Sequence, residues 1–137
     1  MKKILFIATV LFQTTWASEI EVKDVSIRLL PGTTTAAFLS LENKTDKEIV
    51  LEKVTGDFAE TFELHDMVME AGRMQMRPLS QMIIQPKSKL ELKHGGKHIM
   101  IFNVKKPLSE KESYILNLHF KNLSPIKAKA KAVKPEL

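Results

Sequence analysis

The chain has 137 residues, 44% of them hydrophobic and 27% charged, with a net charge of +5 and no cysteine. That length suits one compact domain, and the missing cysteine excludes a disulfide framework and any thiolate metal site. The positive balance is mild, and with no cations interleaved among stacking aromatics it excludes a nucleic-acid binder.

The first segment is a leader. Met1-Lys2-Lys3 is positive, residues Ile4 to Phe12 are apolar, and Gln13-Thr14-Thr15-Trp16-Ala17 turns polar with small residues at Thr15 and Ala17. This order describes a secretory signal peptide, and we place its cleavage after Ala17. The apolar run falls well short of the ~20 residues that span a bilayer, so stable membrane insertion after cleavage is not expected. Residues 1–17 are thus read as the signal and 18–137 as one exported domain. Cleavage takes Lys2, Lys3 and the only tryptophan, Trp16, away from the mature chain.

The mature chain reads as strands throughout. Alternating or β-rich runs cover Ile20 to Leu30, Thr34 to Leu41, Glu48 to Val54, Thr61 to Met69 and Arg73 to Arg77. They continue through Met82 to Gln85, Lys89 to Lys93, His98 to Val104 and Tyr114 to Phe120. Turn chemistry separates them at Pro31-Gly32, Asn43 to Asp46, Gly56-Asp57, Pro86-Lys87-Ser88, Gly95-Gly96 and Pro107. Many short strands at close spacing predict an all-β antiparallel sandwich or barrel. In the tail, Ile126 and alanines alternate with Lys127, Lys129 and Lys131. This is the pattern of an edge strand whose lysines discourage edge-to-edge pairing, and the last residues, Lys134 to Leu137, are expected to fray.

The chemistry concentrates in one region. All methionines beyond Met1 lie between Met67 and Met100, and three segments carry methionine with or near histidine. They are His65-Asp66-Met67-Val68-Met69, Met74-Gln75-Met76 and His98-Ile99-Met100. In a strand, residues two apart share a face, so each segment presents its ligand-type side chains together. A helix would scatter them, because residues two apart sit ~200° apart around its axis. An even-length loop within Glu70 to Gly72 would set His65 opposite Met76 and Met67 opposite Met74, whereas an odd loop would put Met76 on the face of Asp66. The spacing leaves that register open.

Thioether sulfur with imidazole nitrogen has a definite preference. Soft sulfur selects Cu(I), zinc sites favour cysteine, histidine and carboxylate, and calcium and magnesium require oxygen. Thioethers also persist in an oxidising compartment that consumes free thiolates. Methionine is a common gap-filler in cores, and Met82, in Met82-Ile83-Ile84, reads that way. His94 beside Gly95-Gly96 and His119 in an apolar strand read as surface or internally satisfied histidines. No Ser/His/Asp or paired-carboxylate arrangement stands out, and electron-transfer copper sites usually need a cysteine, so an enzyme is not expected. Arg73, Arg77, Lys93 and Lys97 flank the segments, either as solvated charges or as guides for an acidic partner.

The pattern His65-x10-Met76-x21-His98-x-Met100 resembles the signature of the PCuAC family of periplasmic copper chaperones. Glu63-Leu64-His65, Gly72-Arg73-Met74-Gln75-Met76-Arg77-Pro78, Gly95-Gly96-Lys97-His98-Ile99-Met100 and Lys106-Pro107-Leu108 match as well, and the similarity runs from about Val25 to Val133. The resemblance implies a cupredoxin-like Greek-key β-sandwich and Cu(I) ligands at His65, Met76, His98 and Met100, with Met67 and Met74 as alternatives on the same face. It further implies delivery of Cu(I) through the periplasm to a copper-site subunit of cytochrome c oxidase or to another copper chaperone. Storage or sensing without handover would use the same site.

Overall fold

The computed structural model describes residues 19–136, so the expected signal segment lies outside the described residues. Ten strands follow in chain order: β1 (Ile20–Arg28), β2 (Thr35–Asn43), β3 (Ile49–Thr55), β4 (Ala59–Glu70) and β5 (Arg73–Leu79), then β6 (Met82–Ile84), β7 (Lys89–Leu92), β8 (His98–Val104), β9 (Ser113–Phe120) and β10 (Ile126–Val133). No helix occurs among the described residues.

The strands hydrogen-bond in the order β5-β4-β8-β2-β1-β10-β9-β3-β6, with β7 also on β2. β2 lends residues 35–37 to β8 and residues 39–42 to β7, so the two short strands share one partner end to end. Every ladder is antiparallel except the join of β1 to β10, which runs from Ser26 beside Lys131 to Arg28 beside Val133. One hydrophobic cluster draws Ile27, Leu41 and Ile99 from one half of this path and Leu51, Leu116 and Leu118 from the other. A single cluster fed from both halves requires the path to fold over on itself, giving the all-β sandwich. Burying each such aliphatic side chain stabilises the fold by about 1.5–3 kcal/mol.

Alternation decides which face does what. In β8, Ile99 and Ile101 are wholly buried, while His98, Met100 and Phe102 project from the opposite side. The β4–β5 arm reaches beyond the core, since β5 is exposed along Arg73 to Pro78 and only Leu79 is partly covered. At the other end Asn43 is buried and satisfied, its amide donating to the carbonyls of Lys47, Ile84 and Gln85 and its Oδ1 accepting from the Thr45 backbone and hydroxyl. Those bonds close the turn expected between Asn43 and Asp46.

The tail departs from expectation. β10 is not an edge strand, because it bonds to β1 on one side and β9 on the other. The division of its faces is as the pattern implied, with Ala128, Ala130 and Ala132 buried and the lysines exposed. Alternation reports the two faces of a strand and is blind to its two edges. The small alanines let the strand sit close over the core where the two halves meet.

Leu118→Ala removes a fully buried side chain at the centre of β9. We expect a loss of about 2–5 kcal/mol in urea unfolding with an unchanged denaturant slope.

Candidate metal centre

The β4–β8 ladder pairs His65 with His98 and Glu63 with Met100. Beyond β8, Ala36 of β2 sits beside Met100. Opposed residues share a face, so these side chains leave the same side of the sheet, away from Leu64, Ile99 and Ile101 of the core. The two imidazole centroids lie 5.7 Å apart. Phe38 approaches the His98 ring at 6.5 Å and Phe102 the His65 ring at 6.4 Å, which hedges both histidines with aromatic surface.

The hairpin resolves the open register. Ala71 and Gly72 both have positive φ, 47° and 73°, and Glu70 pairs with Arg73. Two central residues of positive φ are the requirement of a tight two-residue hairpin turn, and glycine meets it without strain. The loop is therefore even, as one alternative required, but the pairing is displaced by one step. Met67 faces Met76, Met69 faces Met74, and His65 faces Pro78. Met76 is consequently a diagonal neighbour of His65, not its direct partner.

Hydrogen bonds fix the imidazole tautomers. His65 Nε2 lies 2.7 Å from Glu63 Oε2, and a carboxylate oxygen accepts, so the ring proton is on Nε2. His65 Nδ1 is left as a buried nitrogen with no partner. His98 Nδ1 donates to the Gly96 carbonyl at 2.8 Å, which leaves the lone pair on Nε2. Both side chains are nearly inaccessible, at 8% and 5% exposure. Two buried imidazoles, each with one nitrogen tethered to an oxygen of the protein, are what a metal site needs of its histidines.

A cavity of about 330 Å³ lies over this face and is lined by His98, Met100, Met67, Met74 and Met76 among others. Of the four residues singled out by the resemblance, Met76, His98 and Met100 line it, whereas His65 does not and is joined to it through the neighbouring His98 ring. Met67 lines it too, while Met69 lies outside at 65% exposure. Among the described residues no three histidine, aspartate or glutamate side chains group to hold a metal. Met82 is core, at 1% exposure, and His119 is tied to the Thr55 hydroxyl at 2.8 Å, away from the cavity.

Two residues on the cavity carried no clear signal in the sequence. His94 reaches its rim because the turn after β7, closed by Lys93 to Lys97 backbone bonding at 2.9 Å with Gly95 at φ 81°, curls back over β8. Arg28, at the end of β1, lines it as well. Of the flanking cations, Arg77 pairs with Glu70, which holds its guanidinium even further toward the charged form, and Lys97 pairs with Asp66 at 3.0 Å. These two are committed locally.

Comparison with known proteins follows this geometry. A family model described as "Putative lipoprotein LpqE-like" matches residues 20–132. No protein of curated function matches by sequence. Among solved structures, the copper-bound PCuAC domain from PmoF2 superposes with a TM-score of 0.73 at 17% identity, covering 88% of this chain and 97% of that one. Apo-DR1885 from Deinococcus radiodurans gives 0.65 at 23% identity over 98% and 97% of the two chains. CuI-DR1885 from the same organism gives 0.61 at 25% identity over 81% and 75%. The fold is thereby the cupredoxin-like β fold of PCuAC domains. The 137 residues contain no cysteine, hence no thiol for lipid attachment within them.

In metal-free protein, nitrogen-resolved imidazole spectra of the neutral rings are expected to show His65 protonated on Nε2 and His98 on Nδ1. Glu63→Ala should erase the preference at His65 alone, and the opposite tautomer at either ring in the unaltered chain would contradict this geometry.

Proposed function

The chain belongs to the LpqE-like family, and on that premise we propose that it is an exported copper chaperone that carries one Cu(I) ion. The observation that carries the proposal is the pair of tethered imidazoles, each with a free nitrogen, beside a cavity lined by thioethers and lacking carboxylates. That donor set suits a soft monovalent ion and poorly suits zinc, calcium or magnesium. The copper held by the PCuAC domain from PmoF2 and by CuI-DR1885, both of the same fold, supports the choice of metal.

The ligands in this reading are His65, Met76, His98 and Met100, with Met67, opposite Met76, and Met74, on the same cavity, as alternative thioethers. Glu63 is a positioning residue, accepting the His65 Nε2 proton so that Nδ1 faces the ion. Met74 and Met76 are about half exposed, so an acceptor can reach the ion from the hairpin side. Handover then proceeds by ligand exchange, as acceptor thiolates displace neutral thioethers one at a time while the ion stays Cu(I). The acceptor is a copper-site subunit of cytochrome c oxidase or another copper chaperone. Residues 1–17 direct export and are then removed, placing the carrier in the periplasm, where thioethers outlast thiolates.

Replacing both Met76 and Met100 with Leu keeps volume and removes sulfur. We expect Cu(I) affinity, measured by competition with a chromophoric chelator, to fall at least about a hundredfold, the upper end of what loss of a single outer-shell partner costs a metal site. Glu63→Ala, which leaves every ligand in place, should cost about ten- to a hundredfold. Affinity unchanged by the double substitution would remove the thioether site. Retention of copper when the loaded chain meets a copper-free acceptor would favour storage over handover.

A further inference from the structure

Arg28 is the one formally charged side chain lining the cavity. Its place is built in several ways. The Thr35 hydroxyl donates to the Arg28 carbonyl at 2.5 Å, holding the end of β1 against β2. The guanidinium carbon lies 5.6 Å from the centroid of the Phe38 ring, a cation–π contact. Nη1 donates to His94 Nδ1 at 3.2 Å. Among the described residues no carboxylate pairs with this guanidinium. Phe38 in turn faces the His98 ring, so the cation and a proposed ligand flank one aromatic side chain.

Arginine stays protonated and only donates, and two consequences follow. A permanent positive charge sits at the partly exposed wall of a cavity whose other lining side chains are largely apolar. The lone pair of His94 Nδ1 is also occupied, which places the His94 proton on Nε2 and leaves neither nitrogen free to bind an ion. A cavity meant for divalent copper would want the reverse, because Cu(II) favours additional nitrogen and oxygen ligands in a tetragonal array.

We infer that Arg28 sets the metal specificity of this cavity, disfavouring Cu(II) relative to Cu(I) by its charge and by masking His94. The inference rests on the Cu(I) reading above and deepens it. Repulsion from a fixed charge doubles when the ion carries two charges instead of one. The logarithm of the Cu(II) penalty is therefore about twice that of the Cu(I) penalty, before any ligand gained from His94 is counted.

The test compares Cu(I) and Cu(II) affinities, each by chelator competition, in the unaltered chain and in Arg28→Gln, Arg28→Met and Arg28→Lys. A fourth variant combines Arg28→Gln with His94→Ala. Removing the charge should raise Cu(I) affinity roughly two- to threefold and Cu(II) affinity by about the square of that factor or more, narrowing the preference at least about twofold. Arg28→Met keeps an apolar stem over Phe38 and supplies the same comparison should the glutamine variant fold poorly. Arg28→Lys should retain most of the preference. The electron paramagnetic resonance spectrum of the Cu(II)-loaded glutamine variant should gain a nitrogen coupling that the His94→Ala combination lacks. An unchanged Cu(I)-to-Cu(II) ratio in both charge-removing variants, with Cu(I) still bound, overturns the role of Arg28 alone. Failure of the unaltered chain to bind Cu(I) overturns the underlying reading, and the first titration separates the two outcomes.

Discussion

The ladder between β4 and β8 sets His65 beside His98 and Glu63 beside Met100. A slip of one residue in either strand would turn its own histidine inward and bring its core residue, Leu64 or Ile99, to the surface. That register is held by the core itself, because Leu64, Ile99 and Ile101 each lose their burial if it moves. The hydrophobic effect thus fixes the positions of polar side chains that contribute little to folding. Glu63 and the Gly96 carbonyl then orient the two rings, each at the cost of one ring nitrogen, and leave the other nitrogen of each without a partner. The buried, unpaired Nδ1 of His65 is destabilising in a metal-free chain, and an arriving ion would relieve that cost.

The two faces of the sheet divide the labour. The inner face supplies the stability of a chain without disulfides, through one cluster that joins both halves of the strand path. The outer face of β4, β5 and β8 carries His65, Met67, Met69, Met74, Met76, His98 and Met100 at alternate positions, beside Glu63 and Phe102. The projecting hairpin adds reach, since β5 is free of the core and offers Met74 and Met76 at its surface. Soft, flexible thioethers suit this place, because they contact an ion without demanding the rigid geometry of a carboxylate cage.

Much of this was legible in the sequence, for identifiable reasons. Period-two alternation marked the strands from Ile20 to Phe120, and it told which residues of His98-Ile99-Met100 would share a face. Met82 and His119 stand where their apolar neighbours implied. The hairpin register was legible only in parity: two-residue spacing cannot say whether the turn centres on Ala71-Gly72 or one step earlier, and the positive φ of both residues decided it. β10 was misplaced because lysines on an exposed face look the same on an interior strand as on an edge. His94 and Arg28 had no signature at all. They meet across 66 residues of chain, brought together by a glycine turn and the end of β1, and neither belongs to an alternating set of ligands.

X-ray absorption at the copper edge of the Cu(I)-loaded mature chain addresses the central claim most directly. The account predicts a mixed first shell of imidazole nitrogen and sulfur, with the sulfur contribution lost when Met76 and Met100 are both leucine. A shell of nitrogen and oxygen alone, or sulfur scattering that persists when both are leucine, would contradict it.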